Sequence, residues 1–190
     1  MGRKAAIAGT IGVLVVFAVI VYLAKRGLGG GRPAASPAVA AAPAVPPPPG
    51  RKIKARLFYV AEDGTRLTSV ERDVAYGESA DDQAREIISA QIAASTEPLV
   101  SAIPPGTTLR AVFITRTGDA YVDLSREARA AHPGGTVDEL LTIYTIVNAL
   151  TVNLPAVTGV QLLVDGKEVD TLAGHVDLRR PLAKNLSWVQ

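Results

Sequence analysis

The spacing of apolar positions changes several times after residue 50, and each change predicts an element. Residues 54–60 (KARLFYV) gather branched and aromatic side chains in a run that predicts a strand. Glu62, Asp63 and Gly64 predict a turn, and residues 67–74 resume an extended pattern. The period then lengthens. Ala80, Ala84, Ile87, Ile88 and Ile92 recur at three and four spacing, with Asp82, Arg85, Glu86 and Ser89 opposite. This predicts an amphipathic helix capped by Ser79, with Asp81 and Asp82 in its first turn, stopping before Pro98. Gln91 falls among the apolar residues of that helix, so this face is less dry than an ordinary core.

Residues 109–115 and 120–124 predict a hairpin closed around Gly118 and Asp119, followed by a short helix over 125–131. The strongest helical pattern comes next. Thr136 and Glu139 have the T-x-x-E spacing of a capping box. Leu140, Ile143, Tyr144, Val147 and Leu150 share one face, while Asp138, Thr142, Thr145 and Asn153 share the other. Leu141 and Ile146 widen the apolar stripe, which predicts a helix covered on more than one side. Leu154 and Pro155 end it. Residues 160–164 predict a strand, Asp165-Gly166 a tight turn, and residues 167–172 the return strand, before an irregular tail from Gly174. Paired strands separated by helices predict an α+β fold: a mostly antiparallel sheet with helices packed on one face.

The first fifty residues follow other rules. Residues 5–24 carry no charge and are fenced by Arg3 and Lys4 on one side and Lys25 and Arg26 on the other. A helix of this length spans about 30 Å, the hydrocarbon thickness of a bilayer. The expected arrangement is a short tail at 1–4, a single transmembrane helix at 5–24 acting as a signal-anchor, a disordered Pro/Ala/Gly-rich linker at 25–50, and one domain at 51–190. A cleaved secretory signal is the competing reading; its apolar core is ordinarily about 7–15 residues, and Tyr22, at the minus-three position, is a poor fit to a small-residue cleavage site after Ala24. The linker contains nothing large to bury and extends over roughly 50–70 Å. Location at the cytoplasmic membrane as a single-pass protein, with the C-terminal domain extracytoplasmic, follows as the expectation.

Charge reinforces this division. Residues 1–50 hold five of the twenty basic residues and none of the eighteen acidic ones, so residues 51–190 carry a net charge of −3. The domain has no basic stripe, which argues against nucleic acid as a partner. The chain has no cysteine and two histidines, which excludes disulfides and thiolate metal sites and leaves too few imidazoles for a typical zinc centre. No phosphate-binding or nucleophile-elbow spacing occurs, and no cofactor is expected. His175 and Asp177 share a face if extended, and with Ser187 they form a nominal triad, but spacing supplies none of the geometry a triad needs. The acidic pairs Asp81-Asp82 and Asp138-Glu139 sit at helix starts, where the dipole explains them. No catalytic residue is assigned. Asn148, at the border of an apolar helix face, is placed either to hold a neighbouring loop, the favoured reading, or to contact a partner; with it, His175, Arg179 and Arg180 are the candidate partner contacts.

The segments TIYTIVNALT (142–151), VQLLVDGK (160–167) and LAGHVDLRRPL (172–182) resemble the GerMN domain, found in bacterial sporulation and germination proteins and in envelope lipoproteins. AIPPGT (102–107) and AYVDLS (120–125) fit the same family in the right order. The resemblance covers residues 54–182 and implies a small α+β module of a membrane-associated assembly, with no enzymatic activity. It implies envelope proteins or self-association as partners, with peptidoglycan or a small ligand as the alternative. Many members are lipoproteins anchored through a cysteine; here the apolar stretch at 5–24 takes that place.

Overall fold

A computed structural model describes residues 50–93 and 95–190. The expected tail at 1–4, the span at 5–24 and all but the last residue of the 25–50 linker lie outside the described residues. Among the described residues no helix is long and apolar enough to cross a membrane.

The element order is β1 (Lys52–Val60), β2 (Leu67–Ala75), α1 (Ala80–Ile92), β3 (Leu109–Ile114), β4 (Asp119–Leu124), α2 (Glu127–Ala130), α3 (Thr136–Asn153), β5 (Gly159–Val164) and β6 (Lys167–Glu168). The α+β class and the order of elements are those read from the pattern. The single sheet is not. β1 and β2 form a two-stranded antiparallel sheet, and β3-β4-β5-β6 form a separate four-stranded one. Within the second sheet β4 and β5 run parallel, because the chain crosses over through α2 and α3 between them. The helices therefore do not lie on one face of one sheet. α3 packs against β1, β5 and α1, and α1 packs along β3.

This position explains the composition of α3. Eleven of its eighteen residues are buried, on all sides of the helix. Ile143, Ile146, Val147 and Leu150 are fully buried with Leu57, Phe58, Ile87, Ile88, Val122 and Leu162. Each such side chain contributes about 1.5–3 kcal/mol through burial. A two-stranded hairpin is marginal alone, so β1-β2 depends on this packing.

Local chemistry sets the element ends. Ser79 and Asp82 form a capping box at α1: the Asp82 N–H donates to Ser79 Oγ at 3.1 Å, and the Ser79 N–H to Asp82 Oδ2 at 3.3 Å. The capping box expected at Thr136 and Glu139 is absent. Gly135, with φ of 86°, precedes the helix, Thr136 is its first residue, and no side chain caps it. The hairpin turn at Gly118 needs glycine twice over. Its φ is 94°, and a Cβ there would sit 2.7 Å from the Ala156 carbonyl oxygen. Asp165 and Gly166 both have positive φ, the primed turn that fits a two-residue hairpin. β6 ends after two residues, well short of the run expected to 172. The tail then returns: Leu182 bridges Val160 of the large sheet, and Val189 bridges Leu67 of the small one.

Candidate functional site

Amides on helix faces are the recurring device of this domain. β1 has β2 on one side, and antiparallel pairing turns alternate residues outward on the other. Those outward groups meet side chains instead of a strand. Asn153 Nδ2 donates to the Arg56 carbonyl at 2.8 Å, and the Arg56 N–H donates to Asn153 Oδ1 at 2.8 Å. Gln91 does the same to Phe58, at 2.7 and 2.8 Å, in a fully buried setting. The Val60 N–H then donates to the Val100 carbonyl. Two helix amides and one loop residue thus stand in for a missing strand.

Asn148 belongs to the same set. Its Nδ2 donates to the Asn185 carbonyl at 2.8 Å and its Oδ1 accepts the Asn185 N–H at 3.0 Å. It is fully buried, so it reaches the domain's own tail and not its surface. A partner contact through Asn148 requires the tail to leave.

His175 converges with Glu139, a residue read from spacing as part of a cap. The helix begins one residue earlier than that reading, at Thr136, and Glu139 is aimed at the loop after β6. Its carboxylate, fully buried, accepts the N–H groups of Leu172 and Ala173 at 2.8 Å and of His175 at 2.7 Å. His175 Nδ1 lies 3.2 Å from the same carboxylate. Burial pushes the Glu139 carboxyl up, but the backbone donors and His175 outweigh it and hold it below the usual range. Every lone-pair direction of this carboxylate is directed at its own chain, so it has no proton-transfer role to offer a substrate.

The remaining candidates are exposed. Arg179 is paired with Asp177 through its Nε at 2.9 Å and Nη2 at 2.7 Å. This pairing holds the Asp177 carboxyl far below its ordinary value and raises the guanidinium. Arg180 projects beside them, exposed. His175, Asp177 and Ser187 do not converge: His175 meets Glu139, Asp177 meets Arg179, and the Ser187 N–H donates to Asn185 Oδ1. The acidic pair at α1 is likewise structural, since Asp82 caps the helix and Asp81 Oδ1 accepts the Ile114 N–H of β3 at 2.9 Å. Among the described residues no cluster of three or more His, Asp or Glu side chains is placed to hold a metal ion.

Three surface features were not visible in the spacing. A cleft of about 590 Å³ opens between α2 and the β5-β6 hairpin, lined by Arg126, Arg129, Val164, Lys167, Glu168 and Leu172. Phe113 on β3 is 57 % exposed. The third is the outer edge of β2. The outward residues of β1 face Leu67, Ser69, Glu71 and Asp73 across the hairpin, so these four turn their backbone groups away from β1. Leu67 is met by the tail: its N–H donates to the Trp188 carbonyl at 2.7 Å, and the Gln190 N–H donates to its carbonyl at 2.9 Å. At the far end Gln83 Nε2 donates to the Ala75 carbonyl. Among the described residues Ser69, Glu71 and Asp73 have no such partner on this edge.

The residues matched by known proteins coincide with this framework. The family model Germane, described as sporulation and spore germination, matches residues 56–170. A search of curated proteins found no match. The tandem GerMN domains of the sporulation protein GerM from Bacillus subtilis superpose with a TM-score of 0.55 at 19 % identity, covering 70 % of this chain and 46 % of that one. This chain therefore spans just under half the length of that structure. The 2.5 Å crystal structure of a proposed lipoprotein from Clostridium perfringens gives a TM-score of 0.50 at 23 % identity, covering 70 % of this chain and 88 % of that one. At these identities the two structures speak to the fold. With the family match extending over more than half of the chain, the chain belongs to the Germane family, and its described part is a GerMN-type domain.

Proposed function

We propose that this chain is a membrane-tethered, non-enzymatic binding module of the bacterial cell envelope. In this reading residues 5–24 cross the cytoplasmic membrane once, residues 25–50 set how far the domain searches, and residues 51–190 meet another envelope protein outside the cytoplasm. One observation carries it. The buried polar side chains Gln91, Asn148 and Glu139 are all committed to the domain's own backbone, whereas among the described residues nothing closes the edge of β2 at Ser69, Glu71 and Asp73. Catalysis needs an acid, base or nucleophile free to meet a substrate; association needs an unsatisfied surface. The family's description makes sporulation and germination the first setting in which to look.

A photo-crosslinking residue placed at position 71 of the full chain, expressed in a bacterial envelope, tests this. The expected result is a discrete protein adduct in the membrane fraction. Recovery of the chain free in cytosol, or adducts with cytosolic proteins alone, would contradict it.

The cleft beside Arg129 favours a second reading, a cell-wall polymer or small anionic ligand. Arg129 Nε donates to the Leu172 carbonyl at 3.4 Å, which leaves the outer edge of its guanidinium for an anion. Retention of the full chain on bare peptidoglycan, lost on Arg129→Ala, would favour this reading.

A further inference from the structure

We propose that the outer edge of β2 is the docking surface, and that it takes one extended segment of a partner protein as an added strand running parallel to β2. The inference rests on the reading of the domain as a protein-binding module and names the form its partner takes. The hairpin has two outer edges, and the chain treats them differently. On β1, the outward groups of Arg56, Phe58 and Val60 are met in succession by Asn153, Gln91 and Val100. On β3, α1 packs along the strand, and Asp81 takes the Ile114 N–H. On β5, Leu182 exchanges two hydrogen bonds with Val160, each 2.9 Å. On β2, closure by the described residues is confined to the ends, at Leu67 and Ala75. An open row of N–H and C=O groups is a template for another strand.

The tail sets the direction of that strand. It pairs with Leu67 in parallel, and the next outward residues along the same edge are Ser69, Glu71 and Asp73. A segment entering in line with the tail continues a register already begun. Charge sets its composition. Asp73 is paired with Lys54 at 2.6 Å, while exposed Glu71 is in none of the ion pairs among the described residues. Val70, half-buried, faces the other side of the sheet. The fitting segment alternates basic and apolar side chains, the basic ones beside Glu71. A second copy fits worse: two β2 edges related by a two-fold axis, with Ser69 opposite Asp73, place Glu71 against Glu71, and like charges directly opposite destabilise a pair.

The test uses the full chain in detergent micelles and two fluorescent peptides of about seven residues, one alternating Lys and Val, the other Glu and Val. The Lys-Val peptide is expected to bind more tightly and to slow amide exchange across residues 67–75. Ser69→Pro removes one outward N–H that β1 does not use, so folding persists while binding weakens about tenfold. Glu71→Lys is expected to reverse the preference between the peptides. Equal binding of both peptides, binding unchanged in both variants, or protection appearing at the Arg129 cleft would overturn the proposal. So would protection of the same amides by self-association without peptide. Peptide failure alongside an envelope adduct from position 71 removes the strand proposal alone; peptide binding with no adduct removes the envelope role alone.

Discussion

Gln91 closes both peptide groups of Phe58: its Nε2 donates to the carbonyl at 2.7 Å, and its Oε1 accepts the N–H at 2.8 Å. The helix side chain copies the hydrogen-bonding pattern of a neighbouring strand. Removing it leaves a buried donor and a buried acceptor unmet. Gln91→Leu is expected to destabilise the domain by about 2–4 kcal/mol, measured by urea unfolding. The matching contact at Arg56 is exposed, so Asn153→Ala is expected to cost about 1 kcal/mol or less. Equal losses at the two sites would refute burial as the cause of the difference.

Glu139 makes stability depend on acid. Burial pushes its folded carboxyl up, but the three N–H groups of the 172–175 loop and the His175 side chain outweigh that and hold it below the ordinary glutamate value. A depressed carboxyl contributes stability that is present above the unfolded value and is lost as pH falls through the folded one. Thermal midpoints of the wild type are expected to hold steady above about pH 5 and to fall on acidification below that. Glu139→Gln keeps the shape but turns an N–H₂ group toward backbone donors. It is expected to cost about 1–3 kcal/mol at neutral pH and to flatten part of that acid dependence.

Thr145 offers the opposite case. It is fully buried on α3, and its hydroxyl is the one buried side-chain oxygen or nitrogen among the described residues with no hydrogen-bond partner. Thr145→Val exchanges the hydroxyl for a methyl of similar size and is expected to raise stability by about 1 kcal/mol. A loss of that size would show that the hydroxyl is satisfied after all.

The tail is held at Asn185 by Asn148 and at Leu67 by the Trp188 carbonyl and the Gln190 N–H. Asn148→Ala is expected to loosen residues 183–190 before the rest of the domain. Trp188 is the single tryptophan, so its emission should shift to the red under conditions where far-ultraviolet circular dichroism stays native. Simultaneous loss of both signals would mean that the tail and the core unfold as one unit.

Much of this was legible in the chain, for identifiable reasons. The periods of two and 3.6 located the strands and helices because burial selects faces locally. Gln91 and Asn148 stood out as amides on apolar faces, and both do hold backbone. Asn153 did not stand out, since its target, Arg56, is ninety-seven residues away and its own face looks polar. Glu139 was read as a cap because T-x-x-E has the right spacing. Gly134 and Gly135, with φ of 91° and 86°, let the helix start one residue earlier, at Thr136, and the Glu139 carboxylate goes to the 172–175 loop. The division into two sheets, and with it the open edge of β2, was not legible. Alternation shows which side chains are buried, whereas strand neighbours are decided by the crossover through α3. The segment at 5–24 was read from length and flanking charge, and it lies outside the described residues.

Residue-resolved amide exchange on the full chain compares the two outer edges of one hairpin directly. The account predicts that the Phe58 N–H, held by Gln91, exchanges only with global unfolding, while the Glu71 N–H exchanges at nearly the rate of an open strand. A Glu71 N–H as slow as that of Phe58, with no partner added, would contradict it.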